Sequence, residues 1–278
     1  MKFEQFHPKQ EIEKKEEDIV HGKTPERFMF FLKKFIDLYS SNFKVKGEEN
    51  LQKIPKDKKL LIVTSHISDI DMPIATYALV KEFNIFLTNQ SSQHTFSGDP
   101  AMNSIMRLVG KDNFAPIDYR QDGSLKRSAF NPNNFIDINE GKAKEKGNRI
   151  PMVAAHNPAR GELPKGGYGA VFLAQIMDAT ILPVAVDLKS DSATEPMGMA
   201  DNQITTLKAK PEMEVTIGEP IFLDQIGGLK EALKDRDEKE NKERLNIHPF
   251  KEDLKRQSDE IMKKIASLLP EEKRGAYK

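Results

Sequence analysis

Leu60-Leu61-Ile62-Val63-Thr64-Ser65-His66-Ile67-Ser68-Asp69-Ile70-Asp71 is the stretch whose reading decides the fold. Four consecutive apolar residues follow a lysine-rich turn, too few for a helix and without the alternation of a half-exposed strand. Such a run reads as a strand buried on both faces. A short polar loop then leads into Met72–Phe83, a helix candidate. The same alternation recurs downstream. Ile85–Thr88 reads as a strand, Ala101–Val109 as helical and Phe114–Tyr119 as extended. Ile150–Ala155 reads as a strand, Tyr168–Met177 as a helix, and Ile181–Val186 and Met213–Ile217 as further strands, the last set off by Gly218 and Pro220. Strands alternating with helices imply an α/β fold: a single domain with a mostly parallel central sheet flanked by helices.

Helical additions are expected at both ends. Thr24-Pro25-Glu26 has the form of a helix start, with proline in the first turn. Phe28, Phe31, Leu32, Phe35, Ile36, Leu38 and Tyr39 then recur at helical spacing. Two readings stand for this helix: an aromatic face laid on the core, or a surface helix dipping phenylalanines into a lipid interface with Arg27, Lys33 and Lys34 near headgroups. At the other end Leu229–Leu233 and Phe250–Leu269 read as helices around a charged stretch at Asp235–Arg244. Residues 1–24 form a charged arm without periodicity, and residues 25–278 form the domain. Gln121–Asn148 and Lys189–Asp201 read as inserts of little regular structure.

Composition narrows the function classes. The 278 residues carry 43 basic and 43 acidic side chains, and that balance argues against a dedicated nucleic-acid binder, whose phosphate partner favours a basic excess. There is no cysteine, which excludes disulfides, thiolate metal sites and a cysteine nucleophile. The longest purely apolar runs, such as Phe28–Leu32 and Ile181–Val186, fall far short of the ~20 residues that span a bilayer. The first residues lack the apolar segment of a signal peptide, so the expectation is a cytoplasmic protein.

Chemistry in open α/β sheets gathers at the carboxyl ends of strands, where the loop Thr64–Asp71 lies. In that loop His66 and Asp71 are separated by four residues. If the turn folds Asp71 back, its carboxylate accepts a hydrogen bond from one ring nitrogen and leaves the other as a base. This is a triad lacking its serine, completed by a hydroxyl that the substrate brings, as in acylation of an alcohol by a thioester. The same spacing also arises when a loop histidine is merely hydrogen-bonded and Asp69 or Asp71 caps the next helix. Spacing alone does not separate the two.

Ser65-His66-Ile67-Ser68-Asp69-Ile70-Asp71 resembles the first motif, N-H-x-S-x-x-D, of the glycerolipid acyltransferase superfamily, the lysophosphatidic acid and glycerol-3-phosphate acyltransferases, with Ser65 in place of asparagine. Phe43–Leu51 resembles the short strand and turn that precede this motif in bacterial members. Gly110 with Phe114–Arg120 resembles the second motif. The third, F-P-E-G-T-R-S, is represented by Ala155-His156-Asn157-Pro158-Ala159-Arg160-Gly161-Glu162, where Asn157 stands at the glutamate position. Asparagine retains an acceptor oxygen but cannot carry charge. Gly169–Ala174, Ile181–Val186, Ile217–Ile221 and the tail Ile265–Tyr277 complete a resemblance running from about Phe43 to Tyr277.

The resemblance implies transfer of a fatty acyl group, in phospholipid biosynthesis, from an acyl-CoA or acyl-ACP donor to a hydroxyl of a phosphorylated glycerolipid, a lysophospholipid such as 1-acylglycerol-3-phosphate. It implies His66 as general base, Asp71 as the group that orients it, and Ser68, Arg120, Asn157 and Arg160 as substrate-binding residues. The two arginines would grip the acceptor phosphate through paired, charge-assisted hydrogen bonds. It implies no metal and no cofactor beyond the thioester co-substrate, and peripheral contact with the inner face of the cell membrane. Asn157 keeps two alternatives open: an acyltransferase of the same fold acting on a non-phosphate acceptor, and a catalytically silent lipid-binding homologue.

Overall fold

The computed structural model describes residues 26–68, 70–80, 89–92, 114–117, 150–155, 161–189, 210–232 and 248–278. The charged arm, the Ile85–Thr88 strand, the Ala101–Val109 helix, the insert at Gln121–Asn148, most of Lys189–Asp201 and the stretch Asp235–Arg244 lie outside these residues.

Helix α1 (Glu26–Tyr39) leads into strand β1 (Asn42–Lys46), a short 3-10 turn, and the decisive strand β2 (Lys59–Thr64). Helix α2 (Asp71–Val80) follows. Strands β3 (Asn89–Ser92) and β4 (Phe114–Ile117) pair with each other in a separate two-stranded parallel sheet. Strand β5 (Met152–Ala154), helix α3 (Gly169–Met177), strands β6 (Ala179–Lys189) and β7 (Glu212–Ile217), and helix α4 (Lys251–Ser267) complete the order.

The main sheet has five strands in the order β1-β7-β6-β2-β5, parallel at every pairing except β6 with β7. This is the α/β architecture expected, a mostly parallel sheet flanked by helices. Leu61, Ile62 and Val63 of β2 are fully buried. Burying such side chains is worth about 1.5–3 kcal/mol each, which offsets the backbone-ordering cost of about 1–2 kcal/mol per residue. Two cores lie on opposite faces of the sheet. Leu32 and Ile36 of α1 join Met72, Ile74, Ala75 and Leu79 of α2 on one face. On the other, Val171, Phe172 and Leu173 of α3 meet Leu254, Ile261 and Ile265 of α4. On α1 it is the aliphatic pair Leu32 and Ile36 that is buried, while Phe35 is half-buried and Phe30 and Leu38 are exposed.

β6 is longer than its apolar run suggests. It continues past Val186 through Asp187 and Lys189, because each charge finds a partner: Asp187 with Lys273, and Lys189 with Glu212 and Glu214. Lys44 and Lys46 of β1 join the ladder, on Glu212 at 2.7 Å and Glu214 at 2.9 Å. β5 and β6 flank β2 on either side. The chain leaves β2 through α2 on one face and returns at β5, then passes through α3 on the other face and returns at β6. β2 therefore stands where the strand order reverses, the place at which an open α/β sheet leaves a crevice beyond its carboxyl ends.

Candidate active site at the carboxyl end of the central strand

The chain turns off β2 at that crevice. Ser65 is fully buried and anchored to β6 twice: its N–H donates to the Val184 carbonyl at 3.0 Å, and its Oγ accepts from the Val186 N–H at 3.1 Å. On the other flank Ala155 N–H donates to the Thr64 carbonyl at 2.9 Å. His66 follows, half-buried, with Nδ1 3.0 Å from the Ser68 carbonyl. A carbonyl only accepts, so Nδ1 carries the hydrogen, and in the neutral ring Nε2 holds the lone pair. That is the tautomer of a general base working through Nε2.

Asp71 is completely buried at the start of α2. One carboxylate oxygen accepts from the Ile67 N–H at 2.7 Å and the Ser68 N–H at 3.0 Å, and the other accepts from the Ser68 hydroxyl at 2.5 Å. The direct carboxylate–imidazole hydrogen bond that the spacing suggested is thus replaced by a relay. Asp71 fixes the backbone and side chain of residue 68, and the Ser68 carbonyl fixes the ring. Folding Asp71 back does bring its carboxylate to the loop, but the nearer donors are the loop's own amides. Burial pushes the Asp71 carboxyl up to about 7, opposed by these hydrogen bonds and by the positive charge of Lys273.

Ser68 gives its hydroxyl hydrogen to Asp71 and is itself buried. Arg120, Asn157 and Arg160, with His156 and Asp69, lie outside the described residues. The loop resumes at Gly161, whose N–H donates to the Ile67 carbonyl at 3.3 Å, so the segment after Arg160 returns against the His66 turn. Glu162 is exposed and 3.9 Å from the Lys278 ammonium. Sequence reasoning missed Ser65 as an anchor, and it missed Asp187 with Lys273. A carboxylate inside an otherwise apolar strand does signal a buried counter-ion, but not which of 43 basic residues supplies it. Among the described residues no cluster of histidine and acidic side chains could hold a metal ion. No described helix is long and apolar enough to cross a membrane.

Fold and site together define an α/β protein with a histidine turn at its switch point. No family model matches the chain, and no curated protein matches it. Among solved structures it is similar to the crystal structure of the 1-acyl-sn-glycerophosphate (LPA) acyltransferase PlsC from Thermotoga maritima, at 15% identity and a TM-score of 0.40, over 78% of this chain and 80% of that one. A likeness of that degree identifies neither family nor activity.

Proposed function

We propose that the protein is an acyltransferase that moves a fatty acyl group from a thioester carrier, acyl-CoA or acyl-ACP, to a hydroxyl of a phosphorylated glycerolipid. The observation that carries this reading is the His66 ring: it stands at the carboxyl end of β2, with Nδ1 bonded to the Ser68 carbonyl, which makes Nε2 the basic nitrogen of the neutral ring. Nε2 removes the proton of the acceptor hydroxyl as its oxygen attacks the thioester carbonyl. The carbon–sulfur bond then breaks, and the thiolate takes the proton back from the imidazolium. The thiolate is a good leaving group, so an organic base suffices.

Asp71, through its grip on residues 67 and 68, acts on the orientation of the ring rather than on its charge alone. Arg120 and Arg160 are proposed as the phosphate-binding pair, and Ser68 and Asn157 as polar contacts to the acceptor. The motif order along the sequence supports the assignment. Asn157 in the third motif supports the second reading, the same chemistry on an acceptor without phosphate.

Thiol release from acyl-CoA and acyl-ACP, measured across phosphorylated and non-phosphorylated acceptors, tests both. A phosphate-bearing lysolipid is expected to be the best acceptor. His66→Ala is expected to fold normally and to lose a factor of about 10³ or more in turnover, the scale of a missing base. Normal acyl transfer by that variant overturns the mechanism, and preference for an uncharged acceptor selects the second reading. Binding of thioester without thiol release from any acceptor points to a silent homologue.

A further inference from the structure

The segment that follows α4 turns back over the carboxyl end of the sheet and is held there at several points. Leu163 N–H donates to the Lys273 carbonyl at 2.9 Å, and Ala276 N–H donates to the Leu163 carbonyl at 3.3 Å. Gly166 N–H donates to the Tyr277 hydroxyl at 3.1 Å, and that hydroxyl donates to Asp259 of α4 at 3.3 Å. The approach is so close that a Cβ on Gly275, whose φ is +55°, would lie 2.0 Å from the Leu163 carbonyl oxygen. The Lys273 side chain runs inward, pairs with the buried Asp187 carboxylate and donates to the Leu188 carbonyl at 2.9 Å.

These contacts lead to His66 by two routes. Asp187 follows Val186, whose N–H donates to Ser65 Oγ, directly before the histidine. Leu163 follows the turn at Gly161, whose N–H donates to the Ile67 carbonyl, directly after it. The residues on either side of His66 are therefore each tied to a segment that Lys273 holds, one through its ammonium and the other through its carbonyl. We propose that Lys273 is a positioning residue of the His66 site, clamping β6 and the 161–167 loop against the two residues that flank the imidazole.

The charges at this end of the sheet explain why a cation is needed. Asp187 stands directly opposite Glu214 of β7, a like-charge pair that bound lysines relieve: Lys273 on Asp187, Lys46 and Lys189 on Glu214. Lys273 also bears on the buried Asp71 at the start of α2, favouring its charged form, and among the described residues of that turn His66 is the other titratable group. An Asp187–Lys273 pair serving only to close the sheet would leave turnover untouched in a variant that folds.

The test uses the full chain with Lys273→Gln, which keeps donors but removes the charge, and Lys273→Arg, which keeps the charge. Its first readout needs no activity: the Asp71 carboxyl is titrated by carbon-13 NMR, its signal assigned by its absence from Asp71→Asn, with the His66 ring followed separately. Lys273→Gln is expected to raise the Asp71 midpoint by about half a pH unit or more, and Lys273→Arg to restore it. If Lys273→Gln does not fold, Asp187→Asn is read instead. It removes the carboxylate that holds the ammonium on β6, and is expected to move the Asp71 midpoint from its wild-type value.

The second readout, the only part that rests on the acyltransferase reading, is thiol release. Lys273→Gln is expected to lose about tenfold in kcat with KM within about twofold. An unmoved Asp71 midpoint overturns the proposal, and so does an unchanged kcat in an active wild type. A shifted midpoint in a wild type that transfers no acyl group leaves the clamp standing and sinks the acyltransferase reading.

Discussion

Asp71 shows how one side chain serves two demands that oppose each other. Its three hydrogen bonds come from donors, so they are strongest when the carboxylate is charged; its complete burial favours the neutral form. With the folded-state value raised from 3.8 to about 7, folding takes up a proton between those limits. Stability owed to this group is fully present below about pH 4 and is lost as pH rises through about 7, by a few kcal/mol in all. Urea unfolding of wild type and Asp71→Asn from pH 4 to 8 checks this: the wild type is expected to lose ground to the variant as pH rises to about 7. A flat difference would mean that the hydrogen bonds, and not burial, govern the group. The histidine and aspartate were legible in the sequence because four-residue spacing after a strand returns a side chain to the turn. Which donors meet the carboxylate was not, since that is set by the backbone angles of residues 67 and 68.

At the scale of elements, the apolar runs of β2, β5 and β6 and the small-residue helix α3 could be read directly, because burial on both faces demands uninterrupted apolar residues. The last three residues of β6 could not, since Asp187 and Lys189 resemble a loop until their partners are known. The turn between β1 and β2 depends on one position. Gly47 has φ +78°, and a Cβ there would lie 2.0 Å from the Ile217 carbonyl oxygen, the same oxygen that accepts from the Asn50 side chain at 2.9 Å. Gly47→Ala combines a left-handed backbone, worth about 1–3 kcal/mol, with a collision at the end of β7. A fall in the urea midpoint equivalent to at least that cost is expected, with β1 amides near Lys46 losing hydrogen-exchange protection first. Unchanged protection at β1 would show that the strand is held without this turn.

Across the whole molecule, the two helices on one face are locked to the sheet's connections by a buried amide pair. Gln175 of α3 donates to Gln257 of α4 at 2.8 Å and to the Asp224 carbonyl at 2.7 Å, and accepts from the Ile226 N–H at 2.9 Å, while Gln257 also donates to the Asp224 carbonyl at 2.6 Å. Gln175→Leu leaves the Ile226 N–H and the Gln257 oxygen buried without these partners, at about 1–3 kcal/mol for each group. A matching drop in the unfolding midpoint at unchanged denaturant slope is the expected result; a neutral substitution would mean that water enters and replaces the amide. The amino-acid sequence by itself determined the α/β class, the buried strand and the placement of His66 just beyond it, because apolar periodicity and local spacing are properties of neighbouring residues. Tertiary structure alone decided the strand order, the relay from Asp71 through Ser68 to the imidazole, and the return of Lys273 to the same end of the sheet. Those depend on pairings between distant residues, 121 positions apart for Ser65 with Val186 and 170 for Asn42 with Glu212, which no local pattern encodes.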